Sequence, residues 1–197
     1  MKKSLDNLKL VVNNLYSMSL EEWEDFSSIW HPVCFQKKDI ISKPQAIENY
    51  YYFNVVGLQR LVYSDESGKE TTIELTYETC FGGNLTSFLL RKPASTSYMA
   101  ITKSELLRCS YLDLINVLDK HKGLDRFFRI ILAQTMDNFI EHLIVVKSYS
   151  SISKYNSILL NAKLNTQRVP QKYLASHLGL DASNYSKIKK QTYGRLK

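Results

Sequence analysis

The chain has 197 residues, enough to bury one large core or two small ones, and its 44% hydrophobic and 23% charged residues exclude a disordered or low-complexity protein. Cys34, Cys80 and Cys109 are widely spaced, form no CxxC pair and lie near no histidine cluster, which argues against a disulfide framework or a zinc site and for a reducing compartment. The formal net charge of +7 is uneven: residues 1–149 hold 17 Lys/Arg against 18 Asp/Glu, whereas residues 150–197 hold nine against one acid, Asp181. A surface so basic attracts phosphate backbones and loses affinity as salt rises; the bland alternative is a lysine-rich solubilising tail.

Met1–Tyr16 lacks the apolar run of a signal peptide, and runs such as Leu143–Val146 are too short to cross a bilayer, so a cytoplasmic protein without membrane contact is expected. Residues 4–15 and 19–30 read as helices. The second has Ser19 as N-cap, Glu21 and Glu22 in its first turn, and Trp23, Phe26 and Trp30 at helical spacing, with His31-Pro32 to end it. From Val33 to Ser110 the pattern is short and β-rich. Tyr50–Val56 and Leu58–Ser64 flank a turn or bulge at Gly57, Asp65-Glu66-Ser67-Gly68 joins Leu61–Tyr63 to Thr71–Thr76 as a hairpin, and Cys80–Asn84 is tight. A short apolar segment, Leu85–Leu90, follows, and Tyr98–Ile101 and Glu105–Cys109 complete the strands; this spacing fits a barrel or jelly roll.

Helical periodicity returns at Tyr111–Leu118, breaks at Gly123, and resumes in a long helix from about Leu124 to Lys147. Phe128, Leu132, Met136, Phe139, Leu143 and Val146 form a near-heptad seam along it, and Ile131, Ile140 and Ile144 widen the apolar surface. A helix apolar on two faces wants two partners, so a homodimer is expected. Ser148–Ser151 reads as a hinge, Ile152 to Ala162 as an amphipathic helix, and Asn165–Arg168 as a polar loop.

The strongest local signal is Pro170–Lys190. Pro170 suits a helix start, Leu174 and Leu178 form an apolar face, and Ala175 is small where a second helix must pass. Gly179 stands at a sharp turn that Leu180 plugs, Asp181 or Ser183 can cap the next helix, and Tyr185 and Ile188 turn inward. This is the pattern of a helix-turn-helix whose second helix enters a major groove. Ala182, Ser183, Asn184 and Lys187 are then the candidate base readers, and Lys172, Ser186, Lys189 and Lys190 the candidate phosphate contacts.

Taken together, residues 19–190 resemble the Crp/Fnr family of bacterial regulators, especially its divergent members. The resemblance rests on the leading helices, the Ser64–Glu70 hairpin, the Phe81-Gly82 turn, and the order of barrel, long helix and Pro170–Lys190 motif. It implies an α+β chain with an N-terminal double-stranded β-helix (jelly roll, cyclic-nucleotide-binding-like) at 1–122, a dimerisation helix at 123–148, and a helix-turn-helix domain at 149–197. It also implies a palindromic operator in double-stranded DNA and contact with RNA polymerase.

Cyclic-nucleotide-binding members carry a glutamate just after the Phe-Gly turn and an arginine before the next strand. Here the first region reads Gly82-Gly83-Asn84-Leu85, and the second Pro93-Ala94-Ser95-Thr96-Ser97, with Arg91 and Lys92 displaced into the preceding loop. A cyclic phosphate buried without its cation is poorly compensated, so cyclic AMP is disfavoured. Gly82, Gly83, Asn84, Ser95 and Thr96 remain the rim of an effector pocket whose ligand, if any, is open. The N-terminal cysteine cluster of the iron–sulfur branch is lacking, and only seven residues follow Lys190, where many relatives continue into a wing.

No catalytic motif competes. His31, His121, His142 and His177 are scattered without metal-ligand spacing, and neither GxSxG nor a phosphate loop occurs. The reading is a sequence-specific DNA-binding transcription regulator, not an enzyme, with no cofactor or metal. The alternative is a ligand-binding or protein-interaction module that has lost specific DNA binding.

Overall fold

A computed structural model describes residues 2–161 and 164–194. Helices α1 (Lys2–Asn13) and α2 (Leu20–Ser28) lead into strands β1 (His31–Phe35), β2 (Ile40–Ser42), β3 (Tyr50–Val56), β4 (Gln59–Ser64), β5 (Glu70–Thr76) and β6 (Phe81–Gly82). A short helix α3 (Leu85–Leu90) precedes β7 (Ser97–Ala100) and β8 (Ser104–Ser110), and α4 (Tyr111–Lys120), α5 (Lys122–Ser148) and α6 (Ser151–Leu160) follow. A 3-10 turn at Thr166–Arg168, α7 (Gln171–His177) and α8 (Ala182–Gly194) complete the described chain.

The strands form two antiparallel four-stranded sheets, β1-β8-β3-β6 and β2-β7-β4-β5. This is the α+β architecture that the Crp/Fnr resemblance implies, with the β-barrel first and helices after it. The alternation on β3 shows why the barrel closes: Tyr51, Phe53 and Val55 pack into the core beneath the helices, while Tyr52 joins Tyr98 and Leu106 in a second cluster. A strand buried on both faces loses the polar half of the period-two pattern.

The helix-side core brings Leu8 and Val12 of α1, Phe26 of α2, Leu114 of α4, and Leu124, Phe127 and Phe128 of α5 onto that sheet. Ser19 caps α2 in a full capping box with Glu22. The β4–β5 hairpin is closed by Asp65, whose Oδ1 accepts from the N–H groups of Ser67 and Lys69 at 2.9 and 3.0 Å.

Several readings shift. Leu85–Leu90 is a helix; a six-residue apolar run has no period by which to tell helix from strand. Gly123 does not break the chain: α4 ends at Lys120, and Gly123 lies in the first turn of α5. A Cβ there would fall on the Tyr16 hydroxyl and the Glu22 carboxylate, so the glycine answers a close crossing. Pro170 stands at the N-cap of α7, one residue before the helix starts. Among the described residues, no helix is long and apolar enough to cross a membrane.

Candidate nucleic-acid interface and sensor cavity

Helices α6, α7 and α8 build a small core of Tyr155, Ile158, Leu174, Ala175, Leu178, Tyr185 and Ile188. Gly179 carries φ +62 between α7 and α8, the left-handed conformation that favours glycine, and the Leu180 N–H donates to the Ala175 carbonyl at 2.9 Å. Tyr185 and Ile188 are 3% and 4% exposed, and Tyr185 meets Tyr155 edge-on at 5.2 Å. The inward residues of the motif thus fix the rotation of α8 about its axis.

That rotation leaves Ala182, Ser183, Asn184, Lys187 and Lys190 exposed and Ser186 half-buried. Asn184 Nδ2 lies 3.4 Å from Ser151 Oγ, so this amide leans toward the start of α6. Lys189 points elsewhere: it lines a cleft of about 410 Å³ with Tyr155, Arg168, Gln171 and Tyr185. Lys172, on α7, holds its ammonium 5.0 Å from the Tyr173 ring centroid. The eight DNA-contact candidates therefore do not form one surface. Ala182, Ser183, Lys187 and Lys190 are exposed along α8, Asn184 is exposed but bonded to Ser151, Ser186 is half-buried, and Lys189 and Lys172 sit to the side.

Residues expected to form an effector rim are bonded among themselves. Asn84 is 4% exposed; its Nδ2 donates to Ser42 Oγ at 2.6 Å, and its Oδ1 accepts from Thr96 Oγ1. Ser95 is exposed. A Cβ on Gly83 would lie 2.9 Å from the Tyr52 ring, and one on Gly82 would fall on the Tyr98 hydroxyl. Tyr98 is fully buried and hydrogen-bonds Thr76 Oγ1 at 2.8 Å and Asn54 Oδ1 at 3.2 Å. Gln59 continues the chain, accepting from Thr76 and donating to Ser104.

Burial pushes the Tyr52 and Tyr98 phenols well up, so both stay neutral. Arg91, the nearest cation in sequence, is used up outside. Its guanidinium donates to the Glu48 carbonyl at 2.6 Å and to Asn49 Oδ1 at 2.9 Å, and lies 4.4 Å from the Tyr111 ring centroid.

The long helix divides the expected seam. Phe128 is 6% exposed in the helix-side core and cannot serve a second chain; Leu132 is half-buried against the same core. Met136, Phe139 and Leu143 are 66%, 40% and 55% exposed, joined by Ile140 and Ile144. Val146 is half-buried, and its Cγ1 lies 3.3 Å from where a Gly179 Cβ would stand.

Sequence reading missed how the C-terminal helices dock on the barrel. Leu58, Leu75 and Ile101 belong to the same core cluster as Leu174 and Tyr185. The Thr72 N–H donates to Ser176 Oγ at 2.9 Å, Arg168 pairs with Glu78 at 2.7 Å, and buried Arg60 stacks 3.9 Å from the Tyr173 ring centroid while paired to Glu70. These partners are about a hundred residues apart, beyond any local pattern.

Among the described residues, one carboxylate–histidine group has metal-ligand spacing: Glu21, Asp25 and His121. Lys120 Nζ and His121 Nε2 both contact Asp25 Oδ2 at 2.6 Å. His121 and then Lys120 hold the Asp25 carboxyl below its ordinary range. The carboxylate already has its cation, and the cluster reads as an ion pair tying α2 to α4.

No protein-family model matches the chain, and no curated protein does. Solved structures do. FixK2 from Bradyrhizobium japonicum superposes with a TM-score of 0.75 at 12% identity, covering 85% of this chain and 86% of that one. The c-di-GMP-responsive global regulator CLP of Xanthomonas campestris gives 0.69 at 14% identity, over 90% and 93%. The catabolite activator protein of Thermus thermophilus gives 0.56 at 17%, over 94% and 87%. At such identities it is the fold that is shared: the chain has the barrel, long helix and C-terminal helical unit of these regulators.

Proposed function

We propose that the chain is a cytoplasmic, homodimeric transcription regulator that binds DNA through α8 and does not answer to cyclic AMP, with residues 1–122 as sensor, 123–148 as dimerisation helix and 149–197 as DNA-binding domain. The observation that carries this is the orientation of α8. Tyr185 and Ile188 lock its inner face, and Ser183, Asn184, Lys187 and Lys190 stand on the outside of a basic segment. Asparagine suits adenine and lysine guanine in a major groove, while Lys190 suits phosphate.

The exposed Met136–Ile144 stripe supports a dimer, because a contiguous apolar patch on a helix gains from a second copy. A twofold pair would offer two α8 helices to half-sites about one helical turn apart. Against cyclic AMP stand the tyrosine-filled barrel, the self-bonded Asn84–Thr96 rim and the committed Arg91.

The deciding experiment is selection of bound duplexes from a random DNA library at physiological salt. An enriched palindrome supports the reading. Binding without sequence enrichment, lost equally from every duplex as salt rises, refutes specific recognition and favours a ligand-binding or protein-interaction module. Sedimentation at micromolar concentration tests the dimer separately.

A further inference from the structure

Two histidines face each other across the junction between α5 and the C-terminal helices. The rings of His142 on α5 and His177 at the end of α7 stack with centroids 4.0 Å apart and planes within 8° of parallel. One turn further along α5, Val146 closes on Gly179 in the turn between α7 and α8. The next residue back on α7, Ser176, accepts the Thr72 N–H of β5. The pair thus sits where the long helix, the barrel and the helix-turn-helix meet.

We propose that the stacked His142–His177 pair is an acid-sensitive latch, holding the C-terminal helices against α5 and β5 while both rings are neutral and releasing them when the rings take protons. Two positive charges on rings this close repel each other. The Nδ1 of His177 is buried without a hydrogen-bond partner among the described residues, so a proton placed there would have no acceptor.

The charged groups on the packed elements make no ion pair with either ring among the described residues. On β5, Glu70 pairs with Arg60, and Glu74 is held toward its neutral form by burial. On α7, Lys172 lies by Tyr173; on α5, Asp137 and Glu141 are exposed. In the charged state the rings would have backbone contacts, from His177 to Ile73 and from His142 to the His177 backbone, but no carboxylate partner among the described residues. Burial, and then the neighbouring His142, hold His177 down at about 3 against a contact with the Ile73 backbone; burial also lowers His142.

The sign follows. Docked histidines resist protons that free ones accept, so docking is full above the ordinary histidine value of about 6.5 and weakens as pH falls below it. The latch does not depend on α8 reading DNA, and its test reads docking alone.

The test is amide hydrogen exchange of the full chain from about pH 7.5 to about pH 5, corrected for the intrinsic pH dependence of exchange. Protection of α7 should fall about tenfold or more per pH unit below about 6.5, while β3 and β8 hold theirs. The His142→Phe/His177→Phe double variant keeps two rings without the titration, and its α7 protection should not fall as pH drops below about 6.5. Parallel losses in wild type and double variant overturn the latch, as does a flat wild type. If the double variant does not fold, either single variant must show a shallower slope than wild type; an equal slope overturns the proposal.

Discussion

Phe128→Ala separates core from seam along α5. The ring is 6% exposed and meets Tyr51 edge-on, with centroids 5.9 Å apart and planes at 86°. Its removal leaves a cavity beneath the helices that the rigid sheet cannot refill, at a cost of about 3–5 kcal/mol of unfolding free energy. About 0.5–1.5 kcal/mol of that is the aromatic pair. Urea unfolding, followed by circular dichroism at two protein concentrations, measures it. The loss should be the same at both concentrations, because the damage lies within each protomer. Leu143→Ala, whose side chain is 55% exposed, should leave the protomer within about 0.5 kcal/mol of wild type while weakening self-association in sedimentation. A cost below about 1 kcal/mol for Phe128→Ala, with dimer affinity falling instead, would refute the division of the helix.

Lys187→Ala should relax sequence preference in a binding competition, whereas Lys190→Ala should weaken all duplexes about equally and flatten the salt dependence; the reverse pattern would exchange their roles. Tyr98→Phe strips a buried hydroxyl from Thr76 and Asn54 and should cost about 1–3 kcal/mol in thermal melts, with an unchanged melting temperature counting against the polar network. Titration calorimetry with millimolar cyclic AMP should give no saturable heat; a saturable isotherm would sink the closed-barrel reading. Burial raises the Glu74 carboxyl to about 7. The folded state then holds a proton that the unfolded chain releases, so wild-type stability should decline as pH climbs from about 4.5 toward 7. Glu74→Gln should abolish that decline and gain about 1–3 kcal/mol at neutral pH, and identical pH profiles would contradict the assignment.

What the sequence made legible was local. Pro170, Leu174, Gly179, Tyr185 and Ile188 lie within twenty residues, and each is needed by the turn itself, so spacing and side-chain type suffice. The β4–β5 hairpin is readable for the same reason: Asp65 and Gly68 do their work within the turn. Phe128 and Met136 occupy equivalent positions of one periodic stripe, yet one meets Tyr51 and the other solvent. Periodicity names a face and is silent about what covers it. Gly123 misleads because its reason, Tyr16, is over a hundred residues away. Asn84 and Thr96 read side by side as an effector rim, but that they bond each other depends on a loop closure that no spacing encodes.

Leu58, Leu75 and Ile101 come from the barrel, yet they complete the core that Leu174, Leu178 and Tyr185 begin. Helices α6, α7 and α8 therefore share their core with the barrel. Severed at Ser148–Ser151, they would present that apolar face to water and lose the pairings of Arg168 with Glu78 and of Tyr173 with Arg60. Undocking of these helices would uncover Leu58, Leu75 and Ile101 on the barrel as well. A chimera that grafts this helix-turn-helix onto a foreign barrel would have to carry Leu58, Arg60, Leu75, Glu78 and Ile101 with it, so the two halves can change partners only together.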